Sequence, residues 1–385
     1  MKQSFTCKVI ELMSNSEMVT HLSRKKCMAS CILAMISSRS VQLNELAGYM
    51  NDEVEESSNE VRLQDFFREV HLNYERAGAF LAGFLPAEGK VSLTLDRTEW
   101  DFGKCQVNIL MVLASSGKIH VPLYWELLDN KSGNSSTADR IEVLEKCETL
   151  LGACRIGLVL ADREFIGHKW LKYLKDRGIR FCVRMPKHHL LTNLQGDTFT
   201  IEQKLAHRQE LYLKDVMVDG VWGNAWVRKL KHEEWLFVFS TAETHLQHSY
   251  RSKGNFLGQL YRKRWRIETF FQALKTRGFN LRKTHLKALH KLKKLLALVS
   301  IAFSLCISLG VFLDQKVKPI RKKKHGYKAK SFFRHGLNFM RKVLKREGKE
   351  LKKPKHQQHL QTIMMFMNSI YRQIFENKCL TKIVG

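Results

Sequence analysis

Acidic residues are scarce in this chain. Its 385 residues carry 37 Asp+Glu against 65 Lys+Arg, a formal net charge of +28. A surplus of that size needs a polyanion, with nucleic acid the usual one and an acidic membrane surface the lesser alternative. Only five prolines beside a 44% hydrophobic content argue against a disordered chain and for a folded one of two or three domains. The nine cysteines are odd in number and irregularly spaced. Cys27 and Cys31 have no matching second pair, which argues against a zinc site; the set reads as reduced, mostly buried thiols of a cytosolic protein. Residues 1–18 lack an apolar signal core, so secretion is not indicated. No internal repeat is evident.

Long apolar runs are also rare, with one exception. Residues 295–313 are uncharged and follow the basic stretch 287–294. By length and flanks this is either a membrane-spanning helix or a helix buried on all sides. Ser300, Ser304, Ser308 and Gly310 within it, and the lack of a second span to pair with it, favour the buried helix and no membrane.

Taken in order, residues 1–85 form a helical N-terminal domain with helices expected over 21–37, 43–50 and 63–84. The segments 41–50 and 61–70 read either as a helix–turn–helix-like pair lying on DNA or as part of a plain bundle. The acidic stretch 52–60 reads as a loop that avoids phosphate. From residue 90 the apolar period becomes two, giving strands over 91–96, 106–114 and 119–128 in an antiparallel meander. A helix over 141–151, capped by Ser136 or Thr137, leads to a doubly buried strand ending at Asp162. A helix over 168–177 and a strand over 179–185 complete an α/β order with a mixed sheet. The first part of that core spans 86–185, a β-rich insertion spans 186–247, and the core resumes over 248–313. Residues 314–385 form a basic helical C-terminal region for DNA binding or dimerisation. Within it, 316–355 hold 17 Lys+Arg against Glu347 and Glu350, a density that suits phosphate better than a merely solvated face.

Three acids stand out. Asp96 and Asp162 end strands that a mixed sheet of this order can place side by side. Glu268 lies in the segment 261–275, read as one helix, with Tyr261, Arg264 and Lys275 at offsets that share a stripe about 60° wide. Carboxylates flanked by cations suit a site for divalent metal and phosphodiester, with two Mg²⁺ ions, or Mn²⁺ in their place, about 3.5–4 Å apart. Each residue also has a plainer reading: an Asp at a turn, an Arg264–Glu268 pair on a basic amphipathic helix.

The sequences LDRT around Asp96, ADREF around Asp162 and the Tyr–x2–Arg–x3–Glu–x6–Lys spacing resemble the DDE transposases of bacterial insertion sequences, in the insertion-sequence-four group. The resemblance covers roughly 90–300. It implies an RNase H-like core interrupted by the insertion, with Asp96, Asp162 and Glu268 as catalytic metal ligands and Tyr261, Arg264 and Lys275 on a DNA phosphate. It also implies a base-stacking role for Trp235, which otherwise reads as a core residue. The expected activity is cutting and joining of double-stranded DNA at terminal inverted repeats and at a target, through a hairpin, by a homodimer in the bacterial cytoplasm at the nucleoid. A metal-dependent nuclease without strand transfer and a DNA-binding protein with a vestigial site are the alternatives.

Overall fold

Among the described residues before 86, apolar residues at helical spacing form five helices in the computed structural model: α1 (Phe5–Ser14), α2 (Leu22–Ser38), α3 (Leu43–Ala47), α4 (Glu56–Glu69) and α5 (Tyr74–Ala82). The structure describes residues 4–50, 53–102, 105–128, 133–205, 207–230, 234–242, 250–324, 326–347 and 354–375. The single helix expected over 63–84 is two, because Val70 leaves helical backbone and Asn73 restarts it by accepting the Arg76 N–H at 3.0 Å. The acidic stretch is not wholly loop: α4 begins at Glu56, where carboxylates complement the positive end of a helix.

The period-two stretch gives β1 (Val91–Phe102), β2 (Cys105–Ser116) and β3 (Ile119–Leu128), an antiparallel meander. Next, α6 (Thr137–Leu151) opens with a reciprocal cap between Ser136 and Asp139. It leads into β4 (Ile156–Ala161), α7 (His168–Asp176) and β5 (Phe181–Arg184). β4 lies parallel beside β1, and β5 parallel beside β4. The order β3-β2-β1-β4-β5 is an RNase H-like mixed sheet.

The strands that follow extend this sheet. They are β6 (Leu190–Thr192), β7 (Thr198–Thr200), β8 (Glu210–Val218), β9 (Val221–Lys229) and β10 (Trp235–Ser240), with the short α8 (Ile201–Leu205) after β7. β10 pairs antiparallel with β5, so one sheet of ten strands runs from β3 to β7.

The remaining helices are α9 (Tyr250–Arg262), α10 (Arg266–Leu274), α11 (Leu289–Lys316), α12 (Phe332–Leu344) and α13 (Pro354–Phe375). Leu257, Leu260 and Tyr261 of α9 cover one face of the sheet, against Leu158, Leu160, Cys182, Trp226 and Val238. Gly254 and Gly258 make this possible: a Cβ on either would meet the Trp226 ring at 2.4–2.5 Å. α11 is long and apolar enough to cross a membrane, yet 94% of its most apolar window is buried within the protein. It packs against β3, α2, α5 and α12. The basic C-terminal region is not a detached tail, since α12 buries Phe333, Leu337, Met340 and Val343.

Candidate active site

The parallel register of β1 and β4 pairs Leu95 with Ala161. Asp96 and Asp162 are the next residue on each chain, so the two carboxylates share one edge of the pairing. Each Asp accepts the backbone N–H of the residue after it, Arg97 and Arg163, at 2.8 Å. Asp162 ends its strand as expected and caps a short 3-10 turn, Arg163–Phe165. Asp96 does not end β1. That strand continues to Phe102, held by antiparallel pairing with β2 alone.

The segment 261–275 is not one helix. α9 stops at Arg262, a 3-10 turn spans Lys263–Trp265, and α10 starts at Arg266. Three residues at about 120° instead of about 100° turn the following helix by roughly 60° relative to a straight continuation. Arg264, within that turn, bridges two of the acids. Its Nη1 donates to Asp96 Oδ2 at 3.0 Å and its Nη2 to Glu268 Oε1 at 2.8 Å. Its guanidinium also stands 5.6 Å from the Tyr261 ring centre, and the Tyr261 hydroxyl donates to Asp162 Oδ1 at 3.4 Å. Tyr261, Arg264, Glu268 and the two Asp residues therefore form one connected cluster. Lys275 stands apart: it leaves α10 in extended backbone, with its Nζ 5.9 Å over the Trp100 ring.

Trp235 is half-buried at the start of β10, paired with Lys229, whose Nζ lies 5.9 Å over its ring. Register places Ala161 beside Val183 and Val183 beside Phe239, so β10 starts at the same sheet edge as Asp162, two strands away.

Burial sets the electrostatics. It raises the Asp96 pKa to about 6, with the Asp162 and Glu164 carboxylates adding to it and Arg264 and the Arg97 N–H opposing it. Burial works against the Arg264 charge, but Tyr261, Asp96, Asp162 and Glu268 outweigh it and raise its pKa. The Tyr261 phenol is pushed up by burial and stays protonated. A stability prediction follows from Asp96. Its folded pKa lies above the unfolded value of 3.8, so between pH 4 and 6 the folded chain holds a proton that the unfolded chain has lost. Its contribution is present at low pH and lost as pH rises through about 6, up to about 3 kcal/mol in all. Chelator-treated wild type and Asp96→Asn, melted across this range, are expected to diverge, the variant gaining relative stability as pH rises. Parallel profiles would contradict the buried-carboxyl reading.

Two supporting residues follow the acids directly and were not singled out in the sequence. Arg97 Nε donates to Glu164 Oε2 at 3.1 Å, tying β1 to the turn after β4, and the Ser135 hydroxyl donates to Glu164 Oε1 at 3.4 Å. Their position one and two residues past Asp96 and Asp162 was the available signal. Trp265, beside Arg264, is 60% exposed; on a straight helix its outward direction could not be read.

An all-carboxylate donor set suits a hard divalent cation. Among the described residues no three His, Cys, Asp or Glu converge closely enough for one ion, since Arg264 stands between Asp96 and Glu268. The acids fit such ions in chemistry, and Arg264 now occupies one oxygen each of Asp96 and Glu268.

A family model described as a transposase DDE domain matches residues 111–305. The span includes Asp162, Trp235, Tyr261, Arg264, Glu268 and Lys275 and begins after Asp96. No curated protein matches the chain in sequence. Among solved structures, the cryo-EM structure of a piggyBac transposase synaptic complex with hairpin DNA is similar at a TM-score of 0.46 and 11% identity, over 94% of this chain and 83% of that one.

Proposed function

Because the chain belongs to the family of transposase DDE domains, enzymes that cut and transfer DNA strands, we propose that Asp96, Asp162 and Glu268 are its catalytic acids. The observation that carries this is the single cluster in which Arg264 joins Asp96 to Glu268 while Tyr261 reaches Asp162. The three acids would hold two Mg²⁺, or Mn²⁺, which when bound activate a water and stabilise the leaving oxygen of a phosphodiester.

The chain's own groups do the positioning. Arg264, kept protonated by its neighbours, exchanges its carboxylate partners for a DNA phosphate, freeing the acids for the cations. Tyr261 remains a hydrogen-bond donor at neutral pH and fixes Asp162. Lys275, past the end of α10, reaches a phosphate farther along the strand. Trp235, at the same sheet edge as Asp162, stacks on an unpaired base, an interaction of about 1–3 kcal/mol. The substrate in this reading is the pair of inverted-repeat ends of an insertion sequence of the insertion-sequence-four group, brought together by a homodimer and cut through a hairpin. The setting is a bacterial nucleoid, and the +28 charge supports the DNA partner.

Strand transfer tests this reading against plain hydrolysis. End-labelled DNA carrying the repeats that flank the gene, incubated with Mg²⁺ and a circular plasmid, is expected to yield label joined to the plasmid. Cleaved but never joined ends would mean a nuclease.

A further inference from the structure

A second basic site lies along α10, beside the helix that carries Glu268. A cavity of about 610 Å³ is lined by Arg39, Thr269, Gln272, Arg277, Ser331 and Arg334 among others, with no acidic residue among its lining. Three separate parts of the chain meet there: the end of α2, the end of α10 and the start of α12.

The arginines are held in place by neutral groups. Arg39, the left-handed C-cap of α2 (φ 67°), donates through Nη2 to the Thr276 and Arg277 carbonyls, each at 3.2 Å. Arg334 Nη1 donates to the same Arg277 carbonyl at 3.0 Å, and Arg277 Nη1 donates to Gln272 Oε1 at 2.7 Å. Tying α10 to its neighbours explains one such arginine. It does not explain three gathered with no countercharge among the described residues that line the cavity. Arg39 bears the consequence: burial, then repulsion from Arg334 and Arg341, lowers its pKa, and its buried Nε has no hydrogen-bond partner among the described residues. The N-cap of α12, Ser331, also faces this cavity and adds the positive end of a 13-residue helix.

We propose that this cavity binds a phosphate of the DNA strand that passes the acids, with Arg39, Arg277 and Arg334 as its ligands. Guanidinium forks suit phosphate oxygens, and the missing negative charge is what a phosphodiester supplies. The assignment to DNA rests on the reading of Glu268 as a catalytic acid. Thr269 of the cavity follows Glu268 on α10, and Arg277, in the turn just past the helix end, folds back to Gln272 of the same helix, so the cavity and Glu268 share one short helix.

The test uses the full-length protein, duplex DNA of unrelated sequence, and affinity measured over a range of KCl. Arg277→Gln, at an exposed side chain, and Arg334→Gln are each expected to lower the slope of log K against log [salt] by about one. Each is expected to weaken binding about threefold at moderate salt, and Arg277→Lys to restore the slope. An unchanged slope in both folded Gln variants overturns the site; if Arg334→Gln does not fold, Arg277→Gln decides alone. A second arm adds inorganic phosphate at constant ionic strength. A rise in wild-type melting temperature that Arg277→Gln lacks, with an unchanged DNA slope, assigns the cavity to free phosphate and overturns the DNA reading. Failure of the active-site reading shows separately, as undiminished nicking by Asp162→Asn.

Discussion

Glu268→Gln is expected to reduce metal-dependent nicking by a factor on the order of 10³, the scale lost when one catalytic electrostatic group is removed. The fold should survive. Glu268 is a partly exposed residue near the start of α10, 38% exposed at its side chain and paired at i,i+4 with Arg264. Buried Arg264 keeps its bond to Asp96 in the variant, and a Gln oxygen still accepts from it. DNA binding should survive as well, because the substitution removes negative charge from a protein that binds a polyanion. The measurement is a nicking time course under single-turnover conditions, beside a binding titration and a thermal melt. Nicking at the wild-type rate would remove Glu268 from the catalytic set and leave it as the helix ion pair that its spacing also describes.

The second large effect is on stability. α12 crosses α11 where Gly336 meets Gly310. A Cβ on Gly336 would lie 1.8 Å from the Cys306 carbonyl oxygen and 2.8 Å from the Gly310 nitrogen, both backbone atoms. Gly336→Ala therefore forces two helices apart. The separation loosens Phe333, whose ring stacks 5.1 Å from Phe303, and Phe303 in turn packs 4.9 Å from Phe270 of α10. Overpacking of this kind costs about 1–3 kcal/mol and at times more. The better helix propensity of Ala returns no more than about 1 kcal/mol. A melting temperature lowered by several degrees is expected, with Lys342→Ala, an exposed change on the same helix, near wild type. Equal melting of Gly336→Ala and wild type would mean that the two helices do not meet at this crossing. The same packing means that deleting the C-terminal region removes part of the core together with basic charge. Point substitutions are therefore the sound test of its DNA contacts.

The sheet was legible because its strands differ in kind. The alternating stretch from Val91 and the continuous apolar run ending at Ala161 read as a half-buried and a doubly buried strand, and their parallel pairing brings Asp96 and Asp162 together. The Arg264–Glu268 bond was legible from spacing alone, and the same guanidinium also bonds Asp96, a partner 168 positions away that spacing could not supply. Three features were hidden for physical reasons. β1 runs on past Asp96 because only its partner β2, not its own pattern, sustains it. The 3-10 turn at Lys263–Trp265 has no Gly or Pro to announce it, and neither has the end of α10 at Leu274, after which Lys275 leaves helical backbone. The three-arginine cavity is assembled from residues up to 295 positions apart, Arg39 and Arg334, which no local pattern can join.

Strand cleavage tests the central claim most directly. Purified protein, with and without Mg²⁺, would be given DNA bearing the terminal repeats that flank the gene, in parallel with Asp162→Asn. The account predicts a nick at the repeat boundary that requires the metal and disappears in the variant. A nick that persists in Asp162→Asn, or binding with no cleavage in either Mg²⁺ or Mn²⁺, would contradict it.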